Sequence, residues 1–138
     1  EGTGSDVGTL VDLRLGAHDG FDRVVFELEG PDIPAWRVAY VDRPVGDPSG
    51  IRVDVEGEAY LQVLLTGVAY PEDGSEPYDG PAHVTISGTT AITEAVLSSI
   101  FEGELQAFVG VEGRERGFRV YGMSDPSRVV VEVRAPRG

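Results

Sequence analysis

The chain has 138 residues and a formal charge of −13, with 11 Lys+Arg against 24 Asp+Glu. That balance repels phosphate backbones and anionic headgroups, which argues against nucleic-acid binding and against membrane attachment through a basic patch. Cys is absent, removing disulfides, thiolate catalysis and Cys-ligated metal sites, and His18 and His83 are too few for a His-rich metal centre.

The length fits one domain with a single core, expected to be a monomer without a cofactor. No apolar stretch approaches the ~18 residues of a membrane-spanning helix, so direct membrane insertion of this domain is not expected. Residues 1–8 mix Gly, Ser, Thr and Asp without apolar periodicity and read as a flexible lead-in, leaving 9–138 as the domain.

From Thr9 the pattern has period two. Val11, Leu13 and Leu15 alternate with Asp12, Arg14 and Gly16, and Ile51, Val53 and Val55 alternate with Arg52, Asp54 and Glu56, as strands with one wet face do. Further strands are predicted at Phe21 to Leu28, Trp36 to Asp42, Ala59 to Val68, His83 to Ser87, Leu105 to Val111, Phe118 to Met123 and Arg128 to Arg134, with Gly, Pro or Asp between them. Ile92, Val96 and Ile100 also fit a helical row behind a Thr90 cap, but alternation with Glu94 and Ser98 favours a strand. The whole reads as an all-β, antiparallel two-sheet sandwich of eight to ten strands, with at most one short helix.

Two segments nearly repeat: FDRVVFEL (Phe21 to Leu28) and PSRVVVEV (Pro126 to Val133). In each, Arg and Glu share one strand face, while Val24, Phe26 and Leu28, or Val129, Val131 and Val133, line the other. Antiparallel pairing of the two would set Arg23 near Glu132 and Glu27 near Arg128.

Four stretches carry a family resemblance: HDGFDRVVFEL (His18 to Leu28), LQVLLTGVAYPEDGSEPYDGP (Leu61 to Pro81), FEGELQAFVGV (Phe101 to Val111) and FRVYGMSDPSRVVVEV (Phe118 to Val133). Together they resemble the AMIN-like domain of exported actinobacterial proteins and lipoproteins, a relative of the AMIN modules of cell-wall amidases and pilus secretins. The resemblance implies a β-sandwich without catalytic machinery, located outside the cytoplasm in the cell envelope. It also implies a lipid anchor carried on another segment and contact with peptidoglycan. It transfers no ligand residues.

His18-Asp19-Gly20 has the metal-ligand pairing of some hydrolases but lacks further ligands, and it reads as a turn. No G-x-S-x-G elbow is present for a Ser nucleophile. The acidic loop Tyr70 to Pro81 gathers Glu72, Asp73, Glu76 and Asp79, oxygen ligands suited to a weak Ca²⁺ site although without EF-hand spacing. Sugar and muropeptide recognition uses aromatic platforms with polar neighbours, which singles out Trp36, Tyr40, Tyr70, Tyr78 and Tyr121. Arg119 and Arg43 have the bidentate chemistry to meet a carboxylate. The expected partner is a cell-wall glycan or peptide; the alternative is a protein-interaction module in an envelope complex. Wall polymers are largely anionic, so a chain at −13 must bind them through short-range contacts.

Overall fold

Among the described residues, most alternating segments become strands, nine in all: β1 (Thr9–His18), β2 (Phe21–Glu29), β3 (Ala35–Val41), β4 (Ala59–Thr66), β5 (His83–Val84), β6 (Ile92–Phe101), β7 (Glu104–Val111), β8 (Phe118–Met123) and β9 (Ser127–Arg134). The computed structural model describes residues 8–30, 32–46, 49–68, 80, 82–101 and 103–135. The strands form two antiparallel sheets, β1-β2-β9-β8 and β3-β4-β7-β6-β5, and no helix occurs among the described residues. Both families of side chains expected to be dry are so: Val24, Phe26 and Leu28 of β2, with Val129, Val131 and Val133 of β9, pack on Leu61, Val63 and Leu65 of β4 and Leu105 and Val109 of β7. Facing apolar rows of two sheets are the sandwich solution to burying a period-two pattern. The near-repeat pairs as its sequence suggested, with Arg23 opposite Glu132 and Glu27 opposite Arg128.

Two strands form where expected but with shifted faces, and a third is shorter than expected. In β1 a bulge falls between Leu10 and Asp12, so Leu10 and Leu13 are buried while Val11, expected on the dry face, is turned out. In β6 two bulges, between Ile92 and Glu94 and between Leu97 and Ser99, place Ile92, Ala95, Leu97 and Ile100 on the main core. That irregular spacing is what imitated a helical stripe, because each bulge shifts the inward parity by one residue. The strand expected over His83 to Ser87 pairs only at His83 and Val84.

The segment Ile51 to Glu56 joins neither sheet. Its only ladder is an isolated bridge between Val45 and Arg52, and Ile51 is exposed. Val55 is nevertheless buried, with Val53 beside it, against Phe108 and Val96. The alternation was a true amphipathic signal, but the segment lies as a strap across the outer face of the five-stranded sheet, where the strands beneath have no free backbone groups to offer it. Gln106 Nε2 anchors the strap by donating to the Val45 carbonyl at 3.0 Å. Thr93 donates its hydroxyl to the Glu56 carbonyl, and a Cβ at Gly110 would collide with that same carbonyl.

The two layers are joined by a carboxylate. Asp22, an inward position of β2 and 1% exposed, accepts through Oδ2 from the backbone N–H of Thr90 (2.8 Å), Ala91 (2.6 Å) and Ile92 (2.9 Å) at the start of β6 in the other sheet. Without it, buried N–H donors would be left unpaired. Replacing Asp22 by Ala is expected to destabilise the fold by about 3–5 kcal/mol, and by Asn less, because the amide keeps one acceptor oxygen. Urea denaturation of the two variants measures this; an Asp22→Ala loss under about 1 kcal/mol would show that the layers hold without the carboxylate.

Candidate functional site

The strap crosses the five-stranded sheet, and among the described residues no segment covers the outer side of β1-β2-β9-β8. Registers across it set out successive rows: His18, Phe21 and Arg134; Gly16, Arg23, Glu132 and Arg119; Arg14, Val25, Val130 and Tyr121; Asp12, Glu27, Arg128 and Met123. Five of the chain's 11 basic residues therefore share this face, against the strand carboxylates Asp12, Glu27, Glu29 and Glu132. On a chain of net charge −13 this is a local reversal of sign. Val25 and Val130 are buried beneath the longer side chains, as expected where Arg stems cover apolar surface.

Glu132 organises the array. Only 6% exposed, it accepts through Oε1 from Arg119 Nε at 2.8 Å and through Oε2 from Arg23 Nη2 at 2.9 Å and the Tyr121 hydroxyl at 2.6 Å. Burial pushes its carboxyl up, but the hydrogen bonds from Tyr121, Arg119 and Arg23 outweigh that and hold it down at about 2. Donating to that charge raises the Tyr121 phenol above its ordinary value. The cations also stack: the Arg119 guanidinium lies 5.2 Å from the Tyr121 ring centroid and that of Arg23 lies 5.5 Å from Phe21. Phe21 is in turn stacked on His18, centroids 5.0 Å apart. At the Gly20 end of this face a cleft of about 340 Å³ is lined by Gly20, Phe21, Phe118, Arg119, Glu132 and Arg134.

Of the residues singled out by sequence, Arg119 and Tyr121 meet here, around Glu132. The expected Arg23–Glu132 pair forms, but Glu27 and Arg128 do not bond despite facing each other. Glu27 is taken by Arg14 at 2.8 Å, and Arg128 reaches back to the carbonyls of Pro126 and Ser124. Trp36 and Tyr40 lie elsewhere, on the edge strand β3. Trp36 is 39% exposed and lies beside Gly122 of β8. The Tyr40 hydroxyl donates to the Arg116 carbonyl (2.6 Å) and accepts from the Arg116 N–H (2.8 Å), and its ring meets Phe118 edge-on. Burial raises its phenol above the usual value. Arg43 is exposed just beyond the end of β3.

His83 donates or accepts through Nδ1 at 2.7 Å from Glu94, on the five-stranded sheet. Among the described residues no cluster of His, Asp and Glu is arranged to hold a metal ion. Tyr70, Tyr78 and the proposed calcium ligands Glu72, Asp73, Glu76 and Asp79 lie outside the described residues.

Sequence reasoning missed the cleft-forming partners Phe21, Phe118 and Arg134. The available signal was the near-repeat: once FDRVVFEL and PSRVVVEV are adjacent strands, Phe21 must face Arg134.

Glu132 gives the fold a specific acid sensitivity. Its folded value lies below the ordinary 4.5, so its stabilisation is complete above that pH and is lost as pH falls through about 2. At neutral pH Glu132→Gln is expected to cost about 2–4 kcal/mol, and the gap between wild type and variant should close between pH 4.5 and 2. Stability measured against pH for both proteins tests this; a gap independent of pH in that window would contradict it.

The model of the AMIN-like domain matches residues 8–135 of this chain, taking in both sheets, the strap and the Glu132 array. No curated protein matches it. The four ordered motifs, the sandwich they build and the match along nearly the whole sequence agree: the chain belongs to the AMIN-like domain family.

Proposed function

We propose that this domain is a non-catalytic module that binds peptidoglycan outside the cytoplasmic membrane, with the outer face of β1-β2-β9-β8 as its contact surface. AMIN-like domains are modules of the cell envelope, in general serving binding or localisation. The observation that carries it is the sign reversal on that face: Arg14, Arg23, Arg119, Arg128 and Arg134 converge with Phe21 and Tyr121 on a chain of net charge −13. Flat aromatic and guanidinium surfaces stack on sugar rings, and Arg forks meet carboxylates, so one face offers both contacts that a muropeptide needs. The acidic remainder of the molecule repels the same polymer, which orients this face toward it. A lipid anchor on another segment of the protein would keep the module at the membrane side of the wall.

A second reading, docking of an envelope protein, draws on β3. This seven-residue edge strand pairs on one side with β4, and among the described residues its other edge has no strand partner. Such an edge accepts an added strand.

Sedimentation with insoluble peptidoglycan separates the two. At low salt the wild-type domain is expected in the pellet, and added salt should weaken binding several-fold. The double variant Arg119→Glu with Arg134→Glu should stay in the supernatant, while Arg37→Glu with Arg52→Glu, on the other sheet and the strap, should pellet like wild type. Wild type entirely in the supernatant, with and without Ca²⁺, would reject wall binding.

A further inference from the structure

The cleft at the Gly20 end of the face has a more specific chemistry than the face as a whole. Both oxygens of Glu132 are occupied, Oε1 by Arg119 and Oε2 by Arg23 and Tyr121, so this carboxylate is not free to neutralise a further cation. Arg134 lines the same cleft, with its aliphatic stem across Gly117, and among the described residues its guanidinium has no hydrogen-bond or ion-pair partner. Arg119 is an exposed side chain that commits Nε to the buried Glu132 carboxylate, and among the described residues its two Nη amino groups have no partner, leaving a pair of parallel donors. Tying Nε to that carboxylate restricts the fork before any ligand arrives.

The remaining walls are apolar and close-set. Phe21 is stacked with His18 and lies 5.5 Å from the Arg23 guanidinium, and Phe118 meets the Tyr40 ring edge-on. Gly20, at φ +88°, contributes no side chain, and the space where a Cβ would sit is open, so a ligand backbone can approach the main chain there. At about 340 Å³ the cleft stands at the small end of the ~300–1,000 Å³ range of small-molecule sites. Two guanidinium groups over such a floor fit a planar two-oxygen anion next to a small apolar group.

We propose that this cleft binds the free C-terminal carboxylate of a short peptide ending in a small apolar residue, as an uncrosslinked stem peptide of the wall does. The inference rests on the wall-binding reading above and adds to it the atom group that is recognised. Arg119, through its Nη fork, and Arg134 hold the carboxylate; Phe21 and Phe118 pack on the terminal side chain. A phosphodiester, the other common wall anion, also accepts an Arg fork, so it is the competitor from which the carboxylate must be told apart.

Titration of the ¹⁵N-labelled domain with N-acetyl-D-alanyl-D-alanine, followed by NMR, tests this. Saturable shifts are expected at Gly20, Arg119 and Arg134 with a millimolar-range Kd, and the C-terminal amide of the same peptide should bind roughly tenfold more weakly or less. Arg134→Ala should weaken binding of the acid about tenfold with only a small change in thermal stability, because among the described residues the guanidinium has no partner and the stem packs only across Gly117; Arg134→Lys should restore part of the binding. Equal affinity for acid and amide, or equal competition by dimethyl phosphate, would overturn carboxylate recognition. Tighter binding of the L,L isomer than the D,D isomer would overturn the wall as the source in favour of a protein C-terminus. If insoluble wall retains the domain while the acid peptide neither binds nor competes, the cleft proposal fails and the face reading survives. If wall retention fails too, both fall.

Discussion

One buried carboxylate sets out the exposed face of this domain. Glu132 sits on a central strand of its sheet with strands on both sides, so it reaches Arg23 on β2 and both Arg119 and Tyr121 on β8. Removing a carboxylate from water is costly, and three donors, two of them cationic, offset that cost. In return, long side chains that would otherwise sample many rotamers are tied to one carboxylate. The Arg119 guanidinium over the Tyr121 ring and the Arg23 guanidinium over Phe21 follow from that anchoring.

The two outer faces of the sandwich have different fates, and that asymmetry directs function to one side. Over the five-stranded sheet, Val53 and Val55 of the strap cover Phe108 and Val96, with Gln106 and Thr93 tying the strap down by its carbonyls. That face is already occupied by the chain itself. Over the four-stranded sheet no segment crosses among the described residues, and the dry positions Val25 and Val130 are shielded by the stems of charged side chains instead. A surface covered by Arg and Tyr excludes water from its base while presenting charge and rings at its top, the composition found at the energetic centres of interfaces. Asp22 makes the arrangement one body, since it sits under this face on β2 and binds the start of β6 in the opposite layer.

Much of this was legible in the sequence, for definable reasons. Strict alternation fixed most strands and the inward rows, and the R-V-V-x-E echo identified β2 and β9 as neighbours in the correct register. Ile92 to Ile100 is a strand, as its alternation indicated, but its inward row, the face of Val11 and the pairing of the strap were misread by one cause: parity counting assumes an unbroken ladder, and a bulge or a segment crossing over a sheet keeps amphipathicity while breaking the ladder. Arg119 and Tyr121 were recognisable as a same-face pair, but the cleft was not. It needs Phe21, Phe118 and Arg134 from three strands, and their meeting depends on strand order, which local pattern does not encode. Glu27 with Arg128 shows the converse, a correct register whose ion pair was lost to the nearer competitors Arg14 and the Pro126 carbonyl.

The account stands on the claim that the Glu132-ordered face is where the envelope ligand is met. Mapping backbone amide shifts on adding soluble, enzymatically released wall fragments tests it most directly. Perturbations should centre on the outward positions of β2, β8 and β9, among them Arg23, Arg119, Glu132 and Arg134, with β3 and the strap unmoved. Shifts confined to the β3 edge or the strap, with the Glu132 array silent at saturating fragment, would contradict it.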